Sequence, residues 1–436
     1  MAILGVINSD PEIKKLVEAA FPADIRPAYD LKFLSEKEGI LEFLSYDLPE
    51  IVIINFSDPL IDIDEVVAHI RDDKWILNFG ILGVYSDEKD NEEAILQKYR
   101  AINVLTMLDI VQIRSHLARN VQIIEQNFQI IFQREFSRKL LDGVSGSFII
   151  DNDILAIPLY AGMGATILAQ RGLISPDNKM RLQLALGELI VNAVEHGNCG
   201  ITYEEKTIGM EKGLSVVELV AEKCRDPRIL ARKVDFLWDI QQDRTVFTIR
   251  DEGAGFDVKA YLKKIAAQDA MSLHGRGIKL AAKLSSSLEY NAIGNQVSLT
   301  LMHDPTVEHE VPVGFSHEQV LIVKKGDIVL REGEPSDYLY YIVSGRYSVY
   351  HHLKKVGALS PQDIFMGEMS FLLNQRRSAA VRADGPGKLI LLTRKTFVSV
   401  IREYPHYGIF LSKLLARRLI RSNDQNADLL NKIAQV

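Results

Sequence analysis

Two opposite charges stand nine positions apart in GEMSFLLNQRRSA, residues 367–379: Glu368 and Arg377, among residues that otherwise suit a core. Such side chains are rarely fully buried alone, so these two either satisfy each other or hold a polar ligand between them. A second group lies in ELIVNAVEHG, residues 188–197, where Glu188, Asn192 and Glu195 recur at spacings of four and three, on one helix face. A carboxylate and an amide one turn apart can prepare a water molecule and hold a magnesium ion. In RDEGAGFD, Asp251 precedes Gly253 and Gly255, which let the main chain approach a ligand closely. In LHGRGIKLAAKL, Gly275 and Gly277 open a helix whose free amides suit phosphate oxygens. Singly, a glycine pair is commonly a turn and a helical glutamate commonly solvated, so the order of these elements carries the weight.

Positioning them takes more than one core. A chain of 436 residues exceeds what one ordinary core supports, and about three domains are expected. Hydrophobic residues at 47% and charged residues at 25% match a globular chain without disordered tracts. A net charge of -7 disfavours nucleic acid as the main partner, and the basic run ARRLIRS reads as a solvated helix face. Cys199 and Cys224 form no CxxC pair, so neither a disulfide framework nor a zinc site is expected and a reducing cytoplasm is the natural setting. MAILGVINSDPE has no basic leader, and no stretch reaches about 18 apolar residues, so no membrane insertion is expected. The adjacent His351 and His352 are expected on opposite faces of a strand, which argues against a transition-metal site.

Over residues 1–108 the apolar runs AILGVI, IVIINF, ILGVYS and INVLTM alternate with helical segments such as PEIKKLVEAAF, the pattern of a doubly wound α/β domain with a parallel sheet. The spacing resembles a response-regulator receiver domain, with Asn55 where that family carries its phosphate-accepting aspartate. The acidic pair expected after the first strand appears as Asn8 and Ser9, with Asp10 left, and the lysine expected after the fifth strand aligns with Met107. An amide is a poor nucleophile and adds no charge for a metal. The resemblance therefore implies a pseudo-receiver, not phosphorylated at Asn55. Residues 109–144 read as a helical connector with one long helix over 109–141. Leu117, Val121, Ile124, Phe128 and Ile131 form its seam, either a homodimer contact or a face packed on neighbours. His116 lacks the acidic neighbour and following proline of a histidine-kinase phosphoacceptor, and is expected as a surface or packing residue.

Over residues 145–305 the order of the motifs resembles the ATP-binding fold shared by gyrases, histidine kinases and mismatch-repair ATPases. The closest likeness is to the anti-sigma-factor serine-kinase branch, from SFIIDNDILAIPLYAGMGATI to the asparagine box. The resemblance implies an α+β sandwich of helices on a mixed sheet. In it Asn192 would bind Mg2+ with ATP, Glu188 would act as base and Asp251 would bond the adenine amino group. Gly253 and Gly255 would border the nucleotide, and the Gly275, Arg276 and Gly277 loop would wrap the phosphates. Asn295 stands where the branch has threonine and can still donate and accept. An insert, residues 201–236, separates the first box from the second.

From residue 310 to 436 short strands punctuated by Gly326, Gly333 and Gly345 read as an all-β jelly roll, closed by helices. This part resembles the cyclic-nucleotide-binding domains of catabolite activator proteins and protein kinase regulatory subunits. The resemblance implies that Glu368, in the Gly367, Glu368 and Met369 turn, bonds a ribose hydroxyl. Arg377, in the Arg377, Ser378 and Ala379 triplet, would pair with a cyclic phosphate through its planar donor fork. Ser378 does not select between cAMP and cGMP. The alternative is that Glu368 and Arg377 pair with each other or with solvent.

Two functions are consistent with this chain. One is a cytoplasmic signal-transduction protein in which a cyclic nucleotide regulates a magnesium-ATP-binding, anti-sigma-type serine/threonine kinase-like domain with an anti-anti-sigma or sigma-type protein partner. The other is a non-catalytic partner switch responding to the same ligands. A DNA-binding activator is not expected, because too little follows the last helical segment for a helix-turn-helix module.

Overall fold

The computed structural model describes residues 2–21, 28–73, 78–86, 92–132, 144–241, 243–258, 281–304, 307, 311–413 and 415–416. Contacts group the chain into two units, residues 1–33, 51–60 and 79–308 in one, and 34–50, 61–78 and 309–436 in the other.

The first unit begins with five strands, β1 (Ala2–Ile7), β2 (Tyr29–Leu34), β3 (Ile51–Asn55), β4 (Gly80–Tyr85) and β5 (Val104–Asp109), in the order β2-β1-β3-β4-β5. Strands β1, β3, β4 and β5 run parallel. Every residue of β3 is buried, which is why its sequence is a continuous apolar run rather than an alternating one. Helices Pro11–Ala20 and Ile110–Phe132 pack together, placing Ile13, Val17, Ile113 and Leu117 in one core with Leu4 and Val6. At the end of β3 the Asn55 amide is fully buried, donates to Asn8 Oδ1 at 2.8 Å and accepts from the Ser57 N–H at 3.1 Å. Asp58 accepts from the Ser9 N–H and hydroxyl at 2.5 and 2.6 Å. These polar groups bond one another, and Met107 is buried on β5.

The long helix ends at Phe132, and residues 133–143 lie outside the described residues. Its seam is used within the chain: Leu117, Val121, Ile124 and Ile131 are buried in a cluster with Leu159 and Met163, and Phe128 packs against it. His116 Nδ1 lies 2.7 Å from Ser115 Oγ, and its Nε2 lies 3.7 Å from Asp153.

A second sheet of the same unit comprises β6 (Val144–Ile150), β7 (Val234–Ile240), β8 (Arg244–Arg250), β9 (Ser287–Tyr290) and β10 (Gln296–Met302), in the order β6-β7-β8-β10-β9. The expected mixed sheet is corrected here: each of these pairings is antiparallel. The short β7–β8 and β9–β10 connections explain two of them, since only antiparallel neighbours can be joined by a tight hairpin. Alternate residues of β7, including Phe236 and Trp238, point into the core. Helix Ile157–Gln170 is buried along almost its whole length, apolar on every side because it is covered on every side. At Gly162 its main chain approaches β5 so closely that a Cβ would fall on the Leu105 carbonyl oxygen. Helix Pro176–Asn192 adds polar ties to the same strand end. Lys179 Nζ donates to the Ile102 carbonyl at 3.3 Å and Gln183 Nε2 to that of Leu105 at 3.4 Å.

The second unit contains two antiparallel four-stranded sheets. One is β11 (Gln319–Val323), β18 (Gly387–Thr393), β13 (Tyr338–Ser344) and β16 (Phe365–Met366). The other is β12 (Ile328–Leu330), β17 (Ala380–Ala383), β14 (Tyr347–His351) and β15 (Lys354–Leu359). Leu330, Ile342, Tyr347, Met366 and Leu389 lie between them as a jelly-roll core. Helix Arg394–Glu403 follows, then helical residues 405–413. Asp73, just past helix Ile63–Asp72, joins this end of the chain. It accepts from His406 Nε2 at 3.0 Å and from the Tyr407 hydroxyl at 2.6 Å, and all three residues are buried. Lys413 Nζ donates to the Asp47 carbonyl at 2.9 Å. Burial alone would raise the Asp73 pKa, but the His406 and Tyr407 hydrogen bonds and the neighbouring imidazoles together bring it below the ordinary carboxylate value.

Two outcomes follow. Treatment with acetyl phosphate should leave residues 1–108 without acid-labile phosphate, because Asn55 is a buried amide already bonded to Asn8; stable incorporation there would contradict this. Asp73→Ala should cost about 1 to 3 kcal/mol by leaving two buried donors unpaired. Faster hydrogen exchange over residues 405–413 is the readout. Because the folded pKa of Asp73 is depressed, its contribution is present above the unfolded value and lost as pH falls through the folded one. The same exchange should therefore rise in wild type only at acid pH, below the ordinary carboxylate range, and unchanged exchange in the variant would refute the contact.

Candidate functional site

A cavity of about 300 Å³ opens in the first unit where helix Pro176–Asn192 meets β8, β10 and the turn before β10. Asn192, Asp251 and Gly255 line it. So do Tyr203, Phe256 and Tyr290, with the His196 ring tilted against that of Tyr203, centroids 4.8 Å apart. A mostly apolar hollow with a few convergent polar groups is the usual form of a small-molecule site, and aromatic walls suit a flat heterocycle.

Asp251 is the fixed point. Its main chain is clamped by Asn295, whose carbonyl accepts from the Asp251 N–H at 3.0 Å and whose Nδ2 donates to the Asp251 carbonyl at 3.2 Å. Its carboxylate accepts from the Gly253 N–H at 2.9 Å, and Gly197 packs against it with no room for a side chain. Burial raises the Asp251 pKa, partly offset by these amide bonds. Asn295 thus acts on Asp251 from behind rather than in the cavity, and Asn291 holds Asn295 in turn at 2.7 Å.

The expected single face of Glu188, Asn192 and Glu195 is divided. After Asn192 the helix widens into a π turn, Ala193–Asn198, which carries Glu195 inward. Glu195 is buried and lies 2.9 Å from Lys206 Nζ, a residue of the insert. Glu188 is exposed and is not among the residues lining the cavity. Gly275, Arg276 and Gly277 lie outside the described residues.

Sequence reading missed two contributions. The insert supplies Thr202 and Tyr203 to the cavity wall, where its composition signalled only a separate segment. Asn198 is fully buried, donates to Asn152 at 2.8 Å and accepts from the Glu252 N–H at 2.8 Å, so it fastens the segment that carries Asp251. The sequence spells HGN at this point, and an asparagine directly after a glycine was the available signal.

In the second unit Arg377 is buried, and its guanidinium donates to the Gly367 carbonyl at 2.8 Å, to Ser370 Oγ at 3.0 Å and to the Tyr338 carbonyl. Its charge sits 5.9 Å from the centre of the Tyr340 ring. Burial lowers its pKa from the ordinary guanidinium value. Gly367 has φ 79°, and a Cβ there would meet Arg377 Nη1, so this glycine is what brings the turn onto the guanidinium. Glu368 is half-buried at the start of the short helix Glu368–Leu372, and Met369 is exposed. Main-chain bonds between Arg377 and residues 333 and 334 hold the triplet, and Ser378 and Ala379 follow outside that bracket, exposed and half-buried. Arg376 is exposed and donates to the Gly333 carbonyl at 2.8 Å. The two arginines differ in setting: Arg377 is held inside, Arg376 outside.

Residues 320–404 match the family model of the cyclic nucleotide-binding domain, and residues 160–301 that of the histidine kinase-like ATPase domain. A cGMP-dependent protein kinase of Plasmodium berghei (strain Anka) is 33% identical over 22% of this chain and 11% of its own length. The cAMP-dependent protein kinase type II regulatory subunit of Drosophila melanogaster is 35% identical over 18% of this chain and 21% of its own length. The chain thus spans no more than about a fifth of these curated relatives. Among solved structures, the Thermus thermophilus catabolite activator protein is 31% identical, with a TM-score of 0.25, over 27% of this chain and 57% of that one. The chain therefore carries a cyclic nucleotide-binding domain and a histidine kinase-like ATPase domain.

If Asp251 is the acceptor at this cavity, Asp251→Asn should abolish detectable ATP binding in equilibrium dialysis and Asn192→Ala should weaken it. Removing one buried polar partner typically costs about 1 to 3 kcal/mol. Unchanged affinity in both variants would contradict the assignment.

Proposed function

We propose that this protein is a cytoplasmic signalling regulator in which a cyclic nucleotide bound by residues 310–436 controls an ATP-binding, anti-sigma-type kinase-like domain over residues 145–305. In this reading residues 1–108 are a pseudo-receiver and 109–144 the connector. The carrying observation is the Asp251 carboxylate, held by Gly253 and Asn295 at an aromatic cavity. It offers an acceptor to an adenine amino group while Tyr203, Phe256 and Tyr290 offer faces or edges to the ring.

Asn192 fits a magnesium ion brought in with the nucleotide. Its amide is one oxygen ligand, and magnesium usually takes only one or two protein ligands, the rest being waters and phosphate oxygens. Bound there, the ion would neutralise phosphate charge. Arg377 would meet the cyclic phosphate, exchanging bonds to neutral carbonyls for bonds to an anion. Glu368 would take the ribose, with Gly367, Met369, Ser378 and Ala379 around them. The relatives named for cGMP and for cAMP leave the purine open.

Phosphoryl transfer to a protein hydroxyl would need Glu188 as base. A non-catalytic partner switch is the second reading, and it is favoured by Glu188 standing exposed and away from the cavity wall. In both, an anti-anti-sigma or sigma-type protein is the partner class.

The test is phosphate transfer from labelled ATP to candidate anti-anti-sigma proteins, with and without cyclic AMP or cyclic GMP, in wild type, Glu188→Gln, Arg377→Ala and Arg376→Ala. Cyclic nucleotide should change ATP turnover or partner binding by about 5- to 150-fold, the range of ordinary allosteric coupling. Arg377→Ala should lose that response and Arg376→Ala keep it. Loss of signalling in Glu188→Gln with ATP binding retained selects the kinase; normal signalling selects the switch. Tight cyclic-nucleotide binding without any change at the ATP site or the partner would refute regulation.

A further inference from the structure

Glu332, His351 and His352 converge in the second unit, on residues that neither nucleotide site uses. A regular strand would send adjacent histidines to opposite faces, and this is what the sequence led us to expect. The structure differs because the strand ends between them. His351 is the last residue of β14, while His352 and Leu353 have φ of 48° and 66°, a left-handed pair joining β14 to β15. Such hairpin turns favour Asn-Gly; histidine tolerates the left-handed region, but Leu353 adopts it only under strain. Leu353 is 96% exposed, so no core contact of its own explains the choice.

The left-handed step swings the His352 ring back beside that of His351, with centroids 4.1 Å apart. Glu332 Oε1 then lies 3.1 Å from His351 Nδ1 and 3.2 Å from His352 Nδ1, and one ligand atom from each residue falls within 4.8 Å of the others. The Glu332 carboxylate is held from behind, its Oε2 accepting from the His352 N–H at 3.0 Å. Ligands on a tetrahedral zinc ion at about 2.0 Å are roughly 3.3 Å apart, close to the two separations found here.

We propose that Glu332, His351 and His352 bind a divalent transition ion of the zinc class. Two imidazoles and one carboxylate are its preferred donors, and with three protein ligands a fourth position stays open to water. His351 Nδ1 also lies 2.9 Å from the Ser378 carbonyl. Coordination through that nitrogen displaces its proton to solvent and gives up the Ser378 contact.

The experiment uses the full-length chain stripped with chelator, titrated with Zn2+ against a chromophoric competitor and with Co2+ by visible absorption. Wild type should take up one Zn2+ at micromolar concentration and give the intense visible bands of four-coordinate Co2+. His352→Asn keeps a residue that tolerates the left-handed turn, and Glu332→Gln keeps the carboxylate's shape. Each should weaken Zn2+ by about tenfold or more, and both should fold as wild type by circular dichroism. His317→Ala serves as the control with unchanged uptake. Absence of micromolar Zn2+ binding, or equal affinity in wild type and both variants, would overturn the site.

Discussion

At Gly162 there is no space for a side chain, because helix Ile157–Gln170 lies directly on the Leu105 carbonyl. That close approach fuses two architectures that the sequence presents as separate domains. One apolar cluster runs from Leu4 and Val6 of the parallel sheet, through Leu117 and Val121, to Phe236 and Phe247 of the antiparallel sheet. Lys179 and Gln183, on the helix that ends at Asn192, bond carbonyls at the end of β5. The N-terminal sheet is thus packed into one core with the ATPase part, and at the end of β3 the Asn55 amide is bonded to Asn8.

Residues 61–78 belong to the other unit but lie in the chain between β3 and β4. Their Asp73 holds His406 and Tyr407 at the start of the last described helix. The main chain thus runs from β3 through this segment and back to β4, the neighbour of β5. A two-state element biased by one ligand and felt by another is what coupling requires, whatever distance separates the sites. In the proposed function, a cyclic nucleotide that moved residues 405–413 would act on the Asp73 contact.

Much of this was legible in the sequence where a local rule was strong. Continuous apolar runs announced buried parallel strands, and Gly253 and Gly255 announced close main-chain approaches, which are made to the carbonyls of Gly197 and Ile293. Arg377 was separable from Arg376 by the residues that follow it. What escaped depends on contacts between distant segments. The π turn after Asn192 divides Glu188 from Glu195, and no periodicity of four and three reveals such a widening. Tyr203 joins the cavity only because the insert folds back, and Asn295, held by Asn291, bonds the Asp251 main chain rather than lining the cavity. The adjacent histidines were misplaced because strand alternation was extended one residue past the strand's end.

The proposed regulation requires that the cyclic-nucleotide site and the ATP site share one free-energy surface. Linkage makes the most direct measurement a reciprocal one: cyclic-nucleotide affinity of the full chain with and without a saturating non-hydrolysable ATP analogue. The account predicts that the analogue changes cyclic-nucleotide affinity by the same factor as the cyclic nucleotide changes analogue affinity, and that Asp73→Ala reduces both factors together. Two tight sites whose affinities ignore each other would contradict it.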